Sequence, residues 1–344
     1  MGCTCENKRI EDDLEIKKPP KEIITYKLDE DQLKKIIYLQ SHILGFLYRK
    51  KFNNKDKLLI DNQTNHNSFI NNNYETDYHK YSFQEDDQIT ESDINYLFKN
   101  YPSLNDGEET TIKPITKIEN GAFYYGEWDK KGKKHGRGIQ LWPDGSKYFG
   151  YWINNKANKK GKLIHRDGDI YDGEWLNDKA EGFGVYSHID GAKYEGFWKD
   201  DKQEGKGKEI WPDGNSYEGE YVAGNKQGKG KFIWNDGSIY EGNFMNNNIE
   251  GEGKYKWADN RIYIGSWKNN LMDGYGEFSW PDGRTYKGNY KNDKKEGYGV
   301  FRWPQGNEYR GNWKNGKQHG EGEIFNPKTN QYKKFIWEYG KRIV

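Results

Sequence analysis

Three groups of residues in this sequence could support ligand binding or catalysis: paired glycines, acidic side chains and histidines. Seven Gly-x-Gly pairs recur 23 residues apart, from Gly182 and Gly184 to Gly320 and Gly322. A glycine-rich loop binds phosphate when it opens a helix, because the helix amino terminus then faces the anion. No helical pattern follows these pairs, so the sequence predicts no nucleotide site.

The acidic residues and histidines give no catalytic arrangement either. The run from Asp167 to Gly173 superficially resembles a calcium loop, but its acids miss the required ligand positions, so we expect no metal there. His165 and His188 fall in a column otherwise occupied by tryptophan and are expected to pack. A column of acids precedes the glycine pairs, consisting of Glu181, Glu204, Glu250, Asp273 and Glu296. No nucleophile recurs beside these acids, which predicts a solvated or partner-binding edge and a protein that is not an enzyme and needs no cofactor.

The amino terminus, residues 1–28, carries residue types that accept lipids. Gly2 is placed for N-myristoylation, and Cys3 and Cys5 are placed for palmitoylation. Glu6 stands where the myristoylation motif has Ser or Thr. Two or three acyl chains would anchor the protein stably to a membrane. The alternative is an unmodified flexible tail.

A basic amphipathic helix is predicted over residues 29–52. Its apolar residues recur at helical spacing, and five Lys or Arg stand against one acid between Asp31 and Phe52. Such a helix fits the hydrophobic groove of calmodulin, centrin or a light-chain-like EF-hand protein, and it resembles the IQ motif of calmodulin targets. The residues expected to form this contact are Ile36, Ile37, Leu39, Gln40, Leu44, Gly45, Leu47 and Arg49. The alternative is a helix that folds onto the rest of the protein.

Residues 53–109 are predicted to be a linker with one short helix. The first part is rich in Asn, Asp and Lys and poor in apolar residues, which is typical of a flexible tether. A helix is expected from Ser92 to Asn100, where Ile94, Leu97 and Phe98 make a small apolar face. We expect this face to pack against the elements that follow.

The rest of the chain is a tandem repeat. Nine tyrosines are separated by 24 residues once and then by 23 every time: Tyr124, Tyr148, Tyr171, Tyr194, Tyr217, Tyr240, Tyr263, Tyr286 and Tyr309. Each opens the motif Tyr-x-Gly-x-aromatic, and a Gly-x-Gly pair and an Asp-Gly pair follow it in most copies. A fixed period of this length indicates a linear array of small structural units.

The spacing within each unit predicts a β-hairpin. Side chains alternate along a strand, so the tyrosine, the glycine and the second aromatic fall on one face, where the rings can cover the glycine. We expect the Gly-x-Gly pair to offer bare backbone to these rings, and Asp-Gly to form a two-residue turn. Residues 110–119 are expected to form a leading half-repeat. Tyr332 keeps the spacing at the other end, with Lys334 in place of glycine.

Composition supports an unusual core and excludes several functions. Only 33% of the residues are hydrophobic, but 16% are aromatic and 41 are glycine, so rings on bare backbone replace an aliphatic core. The 55 Lys and Arg nearly cancel the 54 Asp and Glu, so we expect no nucleic-acid partner. Two closely spaced cysteines indicate a reducing, cytoplasmic location. There is no apolar run long enough to span a membrane.

The repeat resembles the MORN (membrane occupation and recognition nexus) family, whose consensus is carried by Tyr-x-Gly-x-aromatic, Gly-x-Gly and Asp-Gly. The resemblance implies an all-β array over residues 110–344, an elongated twisted antiparallel sheet of MORN hairpins preceded by a mostly disordered or helical region. Departures from the consensus occur at Lys159, Asn260, Gln305 and in the last unit.

The resemblance also implies a scaffold or assembly function. Family members hold together radial spoke heads in cilia, cell-cortex structures and membrane junctions. We therefore expect a non-catalytic subunit of a ciliary axoneme or comparable cytoskeletal assembly that recruits a calmodulin-like protein. The alternative is a lipid-anchored adaptor at the cytoplasmic face of a membrane or the cell cortex. A third possibility, a lipid-kinase regulator or enzyme, depends on family analogy alone.

Overall fold

The computed structural model describes residues 88–343, which form two compact units divided between Gln203 and Glu204. The amino-terminal unit contains helix α1 (Glu91–Asn100), a 3-10 turn (Glu119–Gly121) and the strands β1 (Thr110–Lys117), β2 (Phe123–Asp129), β3 (Lys134–Leu141), β4 (Lys147–Ile153), β5 (Lys156–Ile164), β6 (Ile170–Leu176), β7 (Lys179–Ser187) and β8 (Lys193–Lys199). Strand β9 (Lys202–Ile210) begins at the boundary. The carboxy-terminal unit continues with β10 (Ser216–Val222), β11 (Asn225–Ile233), β12 (Ile239–Met245), β13 (Asn248–Lys256), β14 (Ile262–Lys268), β15 (Leu271–Ser279), β16 (Thr285–Lys291), β17 (Lys294–Arg302), β18 (Glu308–Lys314), β19 (Lys317–Asn326), β20 (Gln331–Glu338) and β21 (Lys341–Arg342).

Within each unit, every strand is antiparallel to its neighbours in sequence. The register aligns the glycines, because Gly242 pairs with Gly253 on one side of strand β13 and Gly253 pairs with Gly265 on the other. The predicted fold class, an open antiparallel sheet of consecutive hairpins, is confirmed. The predicted half-repeat at residues 110–119 is also confirmed, since β1 pairs with β2.

The two faces of the sheet differ. We call the side that carries the repeated tyrosines the ring face and the opposite side the back face. In the repeat that begins at Tyr240, the side chains of Tyr240 and Phe244 lie on the ring face, where both are buried. The Tyr240 hydroxyl donates to the Asn243 carbonyl oxygen at 3.0 Å. The ring then lies against Gly242 and Gly253, where an added Cβ would clash with it. The prediction that rings cover the glycines is confirmed.

The two glycines of each Gly-x-Gly pair have different roles. The second, such as Gly253, lies under the tyrosine ring, as predicted. The first, such as Gly251, has a φ of +70° and lies at a bulge where the register of β12 and β13 shifts. It is needed for its left-handed backbone and not for ring packing, so the sequence interpretation of this position was wrong. Lys159 occupies the same bulge position with a φ of +56°.

The predicted two-residue Asp-Gly turn is wrong. In the loop after Trp280, the Gly283 amide donates to the Trp280 carbonyl at 3.0 Å, and the Trp280 amide donates to the Arg284 carbonyl at 3.0 Å. Gly283 has a φ of +90°, so the loop is a three-residue turn with glycine at its bulge. The two-residue turns lie at the other end of the hairpins. In one of them, Asn292 and Asp293 both have positive φ, 48° and 65°.

Each two-residue turn is bonded to the preceding repeat. The Asp293 amide donates to the Met272 carbonyl at 3.0 Å, and the Met272 amide donates to the Asp293 carboxylate at 2.8 Å. The same reciprocal pair joins Asn270 to Ile249. Because a hairpin alone is marginal in water, these bonds between repeats add to the stability that adjacent hairpins give one another.

The last repeat slips by one residue. Tyr332 pairs with Phe325, whereas the regular register, as between Tyr309 and Phe301, would place it opposite Ile324. A slip of one residue moves every side chain to the other face. Tyr332 is accordingly 41% exposed, and Trp337 takes the ring-face position, 5.8 Å from the Tyr309 ring. The end of the array is thus atypical, as expected for a terminal repeat.

Candidate interaction surface

The residues predicted to bind calmodulin or to carry lipids lie outside the described part of the chain. They are Ile36, Ile37, Leu39, Gln40, Leu44, Gly45, Leu47 and Arg49 in the amphipathic segment, and Gly2, Cys3 and Cys5 at the amino terminus. The structure therefore leaves both as predictions. The interaction surface described below lies within residues 88–343.

The acidic column holds the turns together. The Glu296 carboxylate accepts a hydrogen bond from the Asn315 amide at 2.8 Å, and Glu250 accepts one from the Asn269 amide at 2.8 Å. In both cases the acceptor lies in one repeat and the donor in the next two-residue turn. The prediction of a solvated or partner-binding edge missed this role, because the partners are 19 residues apart in sequence.

Asp169, in the middle of the apparent calcium loop, accepts local hydrogen bonds. Asp169 is buried and accepts hydrogen bonds from the Tyr186 hydroxyl and from the Ile189 amide, the latter at 3.0 Å. His188 lies 2.7 Å from the Asp190 carboxylate and 3.6 Å from that of Asp169. Within residues 88–343, no three side chains that could ligate a metal ion come together.

The ring face is a continuous series of perpendicular ring contacts within each unit. Tyr240 contacts Phe244 of its own strand at 5.2 Å and Trp267 of the next repeat at 5.7 Å, both edge to face. Burial removes the hydroxyl of Tyr240 from water and raises its pKa well above the usual value. These tyrosines remain neutral at physiological pH and act as packing groups with one hydrogen bond each.

Helix α1 covers the back face at the start of the array. Thr90 caps the helix reciprocally with Asp93, whose carboxylate also lies 2.9 Å from the Lys147 ammonium. Leu97 is fully buried, and Tyr96 packs edge to face on Phe149 at 5.3 Å. The predicted short helix and its packing against the first hairpins are therefore confirmed.

One cross-strand pair shows how the helix end is held. Arg137 of β3 and Tyr151 of β4 face each other, and the Arg137 guanidinium lies 4.7 Å from the ring centre of Phe98. Tyr151 contacts Tyr101 edge to face at 5.6 Å, and its hydroxyl donates to the Pro102 carbonyl at 2.8 Å.

The same cross-strand pair is aromatic and exposed two repeats later. Phe183 and Phe197 face each other with ring centres 5.8 Å apart, and they are 44% and 50% exposed. Sequence reasoning missed these residues because it treated the central residue of Gly-x-Gly as a spacer. The sequence signal is the aromatic residue that recurs at this position, as Phe183, Tyr275 and Tyr298. All three side chains are exposed in the structure.

Comparison with known proteins identifies the repeat. The MORN repeat profile matches nine segments, residues 124–147, 148–170, 171–193, 194–216, 217–239, 240–260, 263–283, 286–308 and 309–325. Together they make up more than half of the chain. A search of curated proteins found no match.

The chain is similar to several solved structures at low sequence identity. The SAS-4 (dCPAP) TCP domain of Drosophila melanogaster, in complex with a proline-rich motif of Ana2 (dSTIL), is 11% identical with a TM-score of 0.29, covering 45% of this chain and 85% of that one. The wild-type TCP10 domain of Danio rerio CPAP is 13% identical with a TM-score of 0.22, covering 64% and 97%. Within residues 88–343, no helix has the length and apolar character needed to cross a bilayer.

Proposed function

Because the chain belongs to the MORN repeat family, we propose that it is a non-catalytic scaffold subunit of a ciliary axoneme or comparable cytoskeletal assembly, in which the repeats dock partner proteins. The observation that carries this proposal is the exposed pair Phe183 and Phe197 on the back face. Contiguous exposed rings on a folded sheet are typical of a protein-binding surface.

The occupant that this surface favours is the apolar face of an amphipathic helix. An apolar helix face already packs on the equivalent pair, since Phe98 of α1 lies against Arg137 and Tyr101, just after the helix, lies against Tyr151. The acids near these rings are beside lysines, since Glu195 pairs with Lys193 at 3.0 Å and Glu174 faces Lys160 on β5.

Detergent extraction of ciliated cells that express the full chain tests this proposal. We expect the wild-type protein to remain with the axonemes and a double variant, Phe183→Ser with Phe197→Ser, to be released. The matched control is Lys229→Ser with Asn243→Ser, which changes the same cross-strand pair two repeats later. Release of the wild-type protein together with membranes would contradict the axonemal proposal and favour the lipid-anchored adaptor, for which Gly2, Cys3 and Cys5 are the attachment sites.

The second part of the proposal is that residues 29–52 recruit calmodulin or a related EF-hand protein. It is supported by the basic amphipathic pattern described above. Calorimetry with a peptide of residues 29–52, with and without calcium, is expected to show binding that Leu39→Asp abolishes and Arg49→Glu weakens. If calmodulin and centrin both ignore the peptide while deletion of the segment destabilises the first repeats, the segment is an internal cap.

A further inference from the structure

A second exposed surface lies on the back face of the carboxy-terminal unit, where two tyrosines alternate with two asparagines. We call it the tyrosine row, and its members, one from each of the consecutive strands β15 to β19, are Tyr275, Asn289, Tyr298, Asn312 and Glu321. All five side chains are exposed. The Gly-x-Gly centres of the three preceding repeats are charged, so the two rings are particular to these strands.

The spacing of the row follows from the sheet. Tyr275 pairs with Asn289 on the next strand, and Tyr298 pairs with Asn312. Neighbouring strands lie about 4.8 Å apart, so about 9.6 Å separates the two tyrosines, and the same distance separates Tyr298 from Glu321. The tyrosine side chains are 61% and 56% exposed. With about 3.5 Å taken up by the thickness of a ring, a slot of roughly 6 Å lies between them.

An extended proline-rich chain has the same repeat. A polyproline II helix has three residues per turn and rises about 3.1 Å per residue, so every third side chain recurs after about 9.3 Å. Prolines three residues apart can therefore lie against Tyr275 and Tyr298, and the next residue of that series reaches Glu321. An α-helix with its side chains is about 10 Å across, which is too wide for a slot of roughly 6 Å.

The two asparagines supply hydrogen bonds that suit this conformation. The side chains of Asn289 and Asn312 are exposed, and their amide nitrogens lie beside Gly297 and Gly320, the glycines at the strand bulges. The backbone of a polyproline II helix makes no internal hydrogen bonds, so its carbonyl oxygens can accept them from these amides. The carbonyls of an α-helix are already used within the helix. The row therefore favours a polyproline II segment over a helix.

Glu321 supplies a charge at one end of the row. Its cross-strand neighbour on β20 is Ile336, which is 46% exposed, so the carboxylate faces an apolar side chain and not a cation. The corresponding residue before Tyr275 is Glu252, which already accepts a hydrogen bond from the Ser266 hydroxyl at 2.6 Å. An arginine or lysine bound at Glu321 would lay its aliphatic stem on Ile336. The row is thus complementary to a segment that carries a cation at one end and no charge over its prolines.

We propose that the tyrosine row binds a proline-rich segment of a partner protein in the polyproline II conformation, with the pattern Pro-x-x-Pro-x-x-Arg or Pro-x-x-Pro-x-x-Lys. The two prolines lie against Tyr275 and Tyr298, and the cation pairs with Glu321. Grooves lined by aromatic rings suit such segments, because a polyproline II chain loses little freedom when it binds. Phe183 and Phe197 lie in the other unit, so this proposal goes beyond the docking surface described above and does not depend on it.

Calorimetric titration of the full chain with the end-blocked peptide Pro-Pro-Ala-Pro-Pro-Ala-Arg tests the proposal. We expect saturable binding of one peptide per chain. One control peptide carries glutamate in place of arginine. The other has an extra alanine before the arginine, which rotates the cation out of line with the prolines. Each control peptide is expected to bind roughly tenfold more weakly, because its charge no longer meets the Glu321 carboxylate.

Substitutions in the row should change this binding in a way that depends on charge. Glu321→Lys should weaken binding of the arginine peptide roughly tenfold and restore binding of the glutamate peptide. Tyr298→Ser should weaken binding of the arginine peptide roughly tenfold, because a ring contact is lost. Two controls should leave it unchanged: Glu220→Lys, the same charge change at an exposed back-face residue of β10, and Phe183→Ser. All four side chains are exposed, so the variants are expected to fold, and urea unfolding checks this.

Several outcomes would overturn the proposal. They are no saturable binding by the wild-type protein, equal binding of the three peptides, and unchanged binding in Glu321→Lys and Tyr298→Ser. If the peptide of residues 29–52 binds in place of the proline peptide and Tyr298→Ser abolishes that binding, the surface takes a helix. If sedimentation shows a wild-type dimer that Tyr298→Ser dissociates, a second copy of the chain occupies the row.

Discussion

Replacing Lys295 with methionine should raise the free energy of unfolding at pH 7, and the gain should shrink as the pH rises to 9.5. Burial lowers the pKa of Lys295 from its ordinary 10.5 to about 7. Between these values the unfolded chain binds more protons at this residue than the folded protein does. Wild-type stability therefore rises with pH across this window, and the variant lacks that dependence. Methionine suits the site, since Met272, at the same strand position one repeat earlier, is fully buried.

The magnitude follows from the same pKa. A pKa difference of this size between the folded and unfolded states lowers the free energy of unfolding by about 4 kcal/mol at pH 7 and by about 1 kcal/mol at pH 9.5. Attraction of the ammonium to the surrounding rings offsets about 1 kcal/mol of this at pH 7. The gain from Lys295→Met should therefore fall by roughly 2 kcal/mol between pH 7 and pH 9.5.

Urea unfolding of the full chain, followed by tryptophan fluorescence at both pH values, measures this change. The pH stays below 10 because buried tyrosines such as Tyr286 have raised pKa values and would destabilise the fold once the unfolded chain ionised. Lys294→Met, at the exposed neighbouring residue, is the control and should change stability little at either pH. An equal gain from Lys295→Met at both pH values would refute the reasoning, because it would mean that Lys295 carries the same charge folded and unfolded.

Three further predictions concern the roles assigned to single positions, and each is measured by urea or thermal unfolding. Gly242→Val should lower the free energy of unfolding by about 3 kcal/mol, since a Cβ there meets the Tyr240 ring and the Gly253 backbone. Asn243→Val on the back face should lower it by less than about 1 kcal/mol. Equal losses would mean that the faces are wrongly assigned. Lys159→Gly should stabilise by about 1 kcal/mol by relieving a positive φ, and no gain would refute the bulge argument. Burial raises the pKa of Asp201 to about 6, so the stability of the wild-type protein falls as the pH rises through about 4 to 6. Asp201→Asn should therefore raise the free energy of unfolding by about 2 kcal/mol at pH 7.5 and leave it unchanged at pH 3.5.

The sequence predicted the hairpins, the ring face and the short helix because each depends on local spacing. Tyrosine over glycine follows from strand alternation, and α1 follows from the helical spacing of Ile94, Leu97 and Phe98. The wrong prediction of the turn type also has a local cause. Asp-Gly is a strong signal for a two-residue turn, but Trp280 and Arg284 pair across it and leave three residues in the loop.

The contacts between repeats could not be predicted from the period alone. The Glu296 carboxylate and the Asn315 amide meet only because the next two-residue turn folds beside the acidic column. The slip at Tyr332 was also hidden, since the 23-residue spacing continues there while the pairing changes. Both depend on the register of neighbouring strands, which the positions of the tyrosines do not determine.

Function in such an array depends on the positions that the fold leaves free. The repeated tyrosines and the second glycines are constrained, because any larger residue at Gly253 meets the ring of Tyr240. The centre of each Gly-x-Gly and the second strand residue after each two-residue turn are not constrained in this way, and both vary in size and charge between repeats. Phe183 and Lys295 are members of these two sets, one on each face. A repeat protein can therefore acquire distinct binding sites at single repeats without disturbing the hydrogen bonds that join one hairpin to the next.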